Sequence, residues 1–142
     1  MKKILFAILV LILVGAAFGA DKGKDHALFP KIKNYNIVGD AQTTGKHVCV
    51  VRNCRTEKIY GLQSEIMYMK NVHEDDGGKV VKFYEESIKS HGGEVLCRES
   101  NEHFDMISGV VHKGKKDFWV SAAKHRKEGF IEFRVVEAPV QK

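Results

Sequence analysis

The sequence lacks internal repeats, low-complexity segments and the short metal-ligand patterns CxxC, HxxxH and CxxCH. The absence of repeats excludes a repeat-built architecture. No apolar run after residue 20 is long enough to span a bilayer, so the chain beyond that point is expected to be soluble. That remainder, roughly 120 residues, is the length of one ordinary domain with a single core.

The first twenty residues have the pattern of a secretory signal peptide, MKKILFAILVLILVGAAFGA. Lys2 and Lys3 precede an apolar run, and small residues then place the cleavage near Gly19 or Ala20. An uncleaved anchor is the alternative, whereas a lipoprotein anchor is not expected because no cysteine follows the small residues. We therefore predict a periplasmic or secreted, envelope-located protein. Removal of the two lysines lowers the formal charge by two, from +5 to +3, which gives little reason to expect a nucleic-acid partner.

Three cysteines follow the signal peptide, namely Cys49, Cys54 and Cys97. Export makes a disulfide possible, and an odd number leaves one thiol buried, free or paired with another chain. Cys49 and Cys97 lie in strand-like runs, so they are either buried thiols or partners in a structural disulfide. Cys54 lies in a predicted turn and is expected to be the exposed thiol.

The apolar pattern predicts an α+β domain over residues 46–142, after an extended lead-in over residues 21–45 that packs Leu28 and Phe29 on the domain. Val80, Tyr84 and Ile88 recur at helical spacing, which predicts one main helix over residues 78–91. Alternating runs separated by short turns predict a largely antiparallel sheet on which that helix packs. The predicted strands cover residues 46–51, 56–61, 63–71, 94–98, 104–112, 116–122 and 129–137.

Gly92 and Gly93 follow the predicted helix. Glycines that bind phosphate precede a helix, where free N–H groups and the positive end of the dipole meet an anion. Glycine after a helix instead supplies the left-handed conformation that ends it. We therefore interpret the pair as a helix stop, with His91 complementing the helix dipole.

No pattern predicts a catalytic residue, a cofactor or a metal site. His47 and Cys49 share a strand face and Cys54 follows, which could begin a zinc site, but the remaining ligands are missing. A cysteine nucleophile would need a histidine brought beside it by folding. The acidic loop before the helix could hold calcium, but it lacks EF-hand spacing and is expected to be a solvated loop; its acidic residues are Glu74, Asp75 and Asp76.

Two basic turns are candidate contacts for an anionic surface, at opposite ends of one strand and roughly 20 Å apart. Charged turns that keep a sheet edge soluble are the alternative. The candidate residues are Lys113, Lys115, Lys116, Lys124, Arg126 and Lys127, with His125 in the second turn.

Three segments carry a family resemblance: VVKFYEESIKSHGGEVLCRES, HKGKKDFWVSAA and GFIEFRVVEAPVQK. Together they resemble the N-terminal periplasmic domain of unknown function found in OmpA-family outer-membrane proteins. The matching features are Tyr84 before the glycine pair, Gly114 and Lys115 before Trp119 and Val120, and the closing Val136 and Glu137; DHALFP, at 25–30, resembles the lead-in. The resemblance implies the envelope of a Gram-negative bacterium. Because the sequence ends at Lys142, it implies a free-standing domain without the peptidoglycan-binding domain that usually follows. The three cysteines depart from the family pattern.

The leading functional hypothesis is an exported, non-catalytic binding or accessory module of the envelope. Its partner would be another envelope protein or the membrane or peptidoglycan surface. One alternative is a small thiol or redox protein or enzyme that uses Cys49, Cys54 or Cys97. Another is a lipid-binding protein with a groove between helix and sheet, which a packed core lined by Val81, Tyr84, Ile88 and Trp119 would exclude.

Overall fold

A computed structural model describes residues 25–140 of the chain, so the predicted signal peptide lies outside the described residues. Six strands and one α-helix account for most of this region. In chain order they are β1 (Asn36–Val50), β2 (Thr56–Met69), α1 (Gly77–Ser90), β3 (Glu94–Ser100), β4 (Phe104–Lys113), β5 (Lys116–His125) and β6 (Ile131–Pro139). A short 3-10 turn, Arg52–Cys54, joins β1 to β2.

The six strands form one antiparallel sheet in the order β1-β2-β6-β5-β4-β3. Short turns join β3 to β4, β4 to β5 and β5 to β6, and short connections of this kind favour antiparallel neighbours. The connection from β2 to β3 must instead reach the far edge of the sheet, and α1 lies within it. The predicted α+β class, with a largely antiparallel sheet and one helix, is confirmed.

The main core lies between α1 and the sheet, on what we call the helix face. Val80, Tyr84 and Ile88 of α1 are at most 1% exposed, and the Tyr84 ring stacks on Phe133 with ring centroids 5.1 Å apart. Phe29 of the lead-in is fully buried against the same core. Burial of a large apolar side chain stabilises a fold by about 1.5–3 kcal/mol, so this layer holds α1 and the lead-in on the sheet.

The largest differences from the predicted strands lie in β1 and β2. β1 begins at Asn36 rather than at 46, because its first half pairs with β2 through backbone hydrogen bonds although its side chains are mostly polar and exposed. The predicted strands at 56–61 and 63–71 are one strand, β2, with Gly61 inside it. A Cβ atom on Gly61 would lie 2.3 Å from the carbonyl oxygen of Glu137, so glycine permits a close backbone approach without ending the strand.

The end of α1 agrees with the helix-stop interpretation of the glycine pair. Gly92 has a φ of +72°, and its N–H donates to the carbonyl of Lys89 at 3.0 Å. The Gly93 N–H donates to the carbonyl of Ile88 at 2.9 Å. These two bonds form a Schellman motif, which satisfies carbonyls that the helix itself leaves free.

Trp119 lies on the opposite face of the sheet from α1. It alternates with Phe118 and Val120, which both belong to the main core, and it packs instead in a second cluster with Val136. The expectation that Trp119 lines the core beneath the helix is therefore wrong. Alternation along β5 separates the two sets of side chains, but it does not tell which set faces α1.

Candidate functional site

The turn end of the β1–β2 hairpin lies on the face of the sheet opposite α1 and forms a second layer there. β2 pairs with β6 only from Leu62 to Tyr68, so residues 56–61 are paired with β1 alone within the described chain. We call residues 46–61 the distal hairpin. Its Cys49 and Ile59 are at most 6% exposed and pack with the second cluster, which also contains Trp119, Val136 and Ala138. Since β2 and β6 separate β1 from β5 in the sheet, this contact requires the distal hairpin to fold over the opposite face.

A disulfide fixes the tip of this layer. Cys54, in the turn between β1 and β2, is bonded to Cys97 of β3, with Cα atoms 5.0 Å apart and 43 residues of separation in the chain. In the loop-entropy account, a cross-link closing a loop of this length stabilises the folded state by roughly 4 kcal/mol. The Arg52–Glu94 ion pair, at 2.5 Å, lies beside it but is solvent-exposed and contributes little. The expectation that Cys54 is an exposed free thiol is wrong, because its sulfur is oxidised.

Cys49 is the free cysteine of the described chain, and it lies buried on the inner face of the distal hairpin. Burial raises the pKa of the thiol to about 11, against a smaller opposing effect of the Arg134 charge. The thiol is therefore protonated at neutral pH, and a protonated thiol is a poor nucleophile and a poor metal ligand. The structure therefore gives no support to Cys49 as a nucleophile or as a zinc ligand.

The zinc candidates do not come together as a ligand set. The sulfur of Cys54 is committed to Cys97, and His47 Nε2 lies 2.9 Å from the carbonyl oxygen of Thr43. Across residues 25–140, no three histidine, cysteine or acidic side chains are grouped so that they could hold a metal ion.

A buried ionic cluster surrounds Asp76 at the start of α1. Its carboxylate accepts hydrogen bonds from Tyr35 at 2.8 Å and from Lys70 at 2.7 Å, and Lys124 Nζ lies 3.1 Å away. Lys124 also donates to the Tyr35 hydroxyl and to the Gly129 carbonyl. Burial alone would raise the pKa of Asp76, but these three donors outweigh it and hold the pKa below its usual value. The cluster ties together the lead-in, the segment that follows β2, β5 and the helix start.

This cluster corrects two predictions. Asp76 is 5% exposed, so it does not belong to a solvated acidic loop, although Glu74 and Asp75 are exposed as expected. Lys124 is 1% exposed and cannot contact an anionic surface. Sequence reasoning missed both because Tyr35, Asp76 and Lys124, which contact one another, are distant in the chain.

The other residues of the two basic turns remain near the surface, at opposite ends of β5. Lys113, Lys115 and Lys127 are exposed. Lys116 pairs with Glu137, and Arg126 pairs with Asp105 at 2.9 Å. Because these last two charges are already partnered, each turn keeps fewer cations for an external anion than its sequence indicates.

A groove of about 560 Å³ runs between the lead-in and the part of the helix face formed by β1 and β2. Gln42 and Ser64 hydrogen-bond to each other at 3.2 Å in its wall, and Asp25 accepts a hydrogen bond from Tyr68. The lining mixes four carboxylates with four apolar side chains, and consists of Asp25, His26, Ala27, Asp40, Ala41, Gln42, Leu62, Ser64, Glu65, Ile66 and Glu137.

The space directly beneath α1 is filled. Ile88 is fully buried, and a Cβ atom built on either Gly93 or Gly109 would lie 2.9 Å from an Ile88 side-chain atom. A lipid groove between helix and sheet therefore gains no support at this position.

The outer face of the distal hairpin carries a basic and apolar patch that sequence reasoning did not single out. Lys46 lies opposite Tyr60, and Val48 lies opposite Lys58, all with side chains directed away from Cys49 and Ile59. Tyr60 is 62% exposed and Val48 is 54% exposed. The alternation along each strand indicates which side chains share a face. Which of the two faces is exposed to solvent depends on how the hairpin folds over the sheet.

Comparison of the chain with protein-family models and with curated proteins finds no match. The resemblance to the OmpA-associated periplasmic domain therefore remains a prediction. Within the described region, no helix is both long enough and apolar enough to cross a membrane.

Proposed function

We propose that this chain is an exported, non-catalytic binding module of the bacterial envelope, stabilised by a disulfide. The observation that carries the proposal is the bond between Cys54 and Cys97, which joins the hairpin tip to the far edge strand. Structural disulfides persist in oxidising compartments such as the bacterial periplasm and are rare in the cytosol. The apolar leader over residues 1–20 points to the same compartment.

The family resemblance supports an envelope location more narrowly. A domain of this kind would contact another envelope protein, or the membrane or peptidoglycan surface. The exposed outer face of the distal hairpin and the groove beside the lead-in are the two surfaces on which such binding would rest.

The thiol or redox alternative is the weaker candidate. It requires a reactive thiolate, whereas the pKa of Cys49 is raised to about 11 and its side chain is buried. A redox cysteine is typically exposed and has a lowered pKa.

Expression of the full chain in a Gram-negative host tests the proposal. We expect periplasmic protein that begins near Asp21, with one thiol titrated after denaturation and three after denaturation and reduction. A Leu9→Arg/Leu11→Arg leader variant is the control, since it should remain cytoplasmic. Uncleaved protein in the cytoplasm with three free thiols would overturn the proposal.

A further inference from the structure

The distal hairpin presents two different faces, and only its inner face is used by the fold. Cross-strand partners share a face in an antiparallel pair. Cys49 and Ile59 point inward to the second cluster, so the pairs Lys46 with Tyr60 and Val48 with Lys58 point outward. An exposed tyrosine and valine flanked by two lysines thus form one contiguous outer surface.

This end of the molecule is strongly basic. Residues 46–60 contain four lysines and arginines, and their single carboxylate, Glu57, lies opposite Cys49 and therefore not on the outer surface. Arg52 is paired with Glu94, but within the described chain Lys46, Arg55 and Lys58 form no ion pair. The outer surface therefore carries uncompensated positive charge, and its complement is an anionic partner.

The surface is also held in place before any partner arrives. The disulfide fixes the tip at Cys54, and the second cluster holds the middle of the hairpin on the sheet. A preformed surface loses little conformational freedom on binding.

The combination of side chains favours a membrane surface over a dissolved polyanion. Lysine can keep its ammonium group at a headgroup while its methylenes lie against apolar material, and tyrosine suits a site that is apolar at one end and wet at the other. Burial of the Val48 side chain favours binding only where the partner offers apolar surface to cover it. A polyanionic glycan would engage the lysines and leave Val48 exposed to water.

We propose that the outer face of the distal hairpin, formed by Lys46, Val48, Lys58 and Tyr60, docks on an anionic phospholipid surface. The inference rests on the proposed envelope location and names the partner of that location. Vesicle binding is measured separately from export and signal cleavage. The lipid proposal can therefore be wrong while the proposed envelope location is right.

The test is flotation of the oxidised full-chain protein, as processed by the cell, with phosphatidylcholine vesicles containing about one third phosphatidylglycerol. Pure phosphatidylcholine vesicles reveal any binding by a retained apolar leader. We expect partition into the acidic vesicles alone, weakened by salt. Lys46→Gln/Lys58→Gln should reduce the partition coefficient about thirtyfold, since each lysine near an anionic surface contributes about a fivefold factor.

Lys33→Gln/Lys82→Gln is the matched control, because it removes the same charge from exposed positions outside the patch and outside the two basic turns. It should lower binding far less, and unchanged circular dichroism should show that both variants fold. Equal losses in the two variants, or no binding to acidic vesicles, would overturn the proposal.

Tyr60→Ser separates lipid from polyanion. On a membrane surface it should weaken binding while leaving the salt dependence intact, and dextran sulfate should compete poorly. If Tyr60→Ser binds as well as the original protein and dextran sulfate displaces the vesicles efficiently, the patch recognises charge alone and the lipid assignment is wrong.

Discussion

The sulfurs of Cys54 and Cys97 are bonded to each other although their segments, the β1–β2 turn and β3, belong to opposite ends of a six-stranded sheet. The bond is possible because the distal hairpin leaves the plane of the sheet and crosses the face that α1 does not cover. It encloses the second cluster between the hairpin and the sheet. The fold therefore has helix on one face and a disulfide-fixed hairpin on the other.

Removal of the disulfide should lower stability substantially. In Cys54→Ser/Cys97→Ser we expect the free energy of unfolding to fall by roughly 4 kcal/mol, because the unfolded chain regains the entropy of an open loop. Urea unfolding followed by circular dichroism measures the change. Cys49→Ser retains the disulfide and separates this effect from a general intolerance of cysteine replacement. A loss below about 1 kcal/mol would mean that the hairpin holds its position without the bond.

The burial of Cys49 should depend on the disulfide. In the oxidised protein its thiol should react with a maleimide only slowly at neutral pH, because it is both buried and protonated. In Cys54→Ser/Cys97→Ser, where Cys49 is the remaining cysteine, the reaction should be at least about tenfold faster if the hairpin opens. Labelling rates measured by mass spectrometry decide the question. Equal rates would show that the second cluster stays closed by packing alone.

Ionisation of the Cys49 thiol should make the protein less stable at alkaline pH. Folding raises its pKa from an ordinary value of 9.0 to about 11, so the folded state holds its proton more tightly than the unfolded state. Its contribution to stability is complete below pH 9.0 and is lost as the pH rises towards about 11. The difference between the original protein and Cys49→Ala, measured by urea unfolding across this range, should therefore shrink. A constant difference would contradict the raised pKa.

Much of the fold could be predicted from local pattern. Val80, Tyr84 and Ile88 mark the helix, and the alternation around Phe118 and Phe133 marks the strands, because these features repeat at the spacing of one element. The start of β1 was missed because an edge strand can form through backbone bonds to β2 with few apolar side chains.

Far less of the candidate site could be predicted from local sequence pattern. The pairing of Cys54 with Cys97 depends on where the hairpin folds, and three cysteines leave three pairings open. Lys124 could be assigned only to a charged turn, since the partners that bury it, Tyr35 and Asp76, come from the lead-in and the helix start. Long-range contacts fix both features, and local periodicity carries no information about them.

Asp76 and Lys124 should be strongly coupled. Asp76→Asn leaves the Lys124 charge buried without its carboxylate, so we expect a loss of about 3–5 kcal/mol. Lys124→Met should cost less, because Lys70 still neutralises Asp76. In urea unfolding, the double variant should lose less stability than the two single losses added together. Strict additivity would show that the two charges do not stabilise each other.

Gly92 should be required for its backbone conformation rather than for space. Its φ of +72° disfavours a side chain, yet a Cβ atom there would meet nothing within 4 Å in the described chain. Gly92→Ala should therefore cost about 1 kcal/mol from the left-handed conformation alone, and Gly92→Asn should cost less. Gly78→Ala is the matched control, because Gly78 also has open space but lies within α1 and should tolerate or gain from alanine. Thermal unfolding compares the three variants. If Gly78→Ala lost as much stability as Gly92→Ala, the added methyl group would be the cause. The Schellman motif would then no longer explain why the helix ends at Gly92.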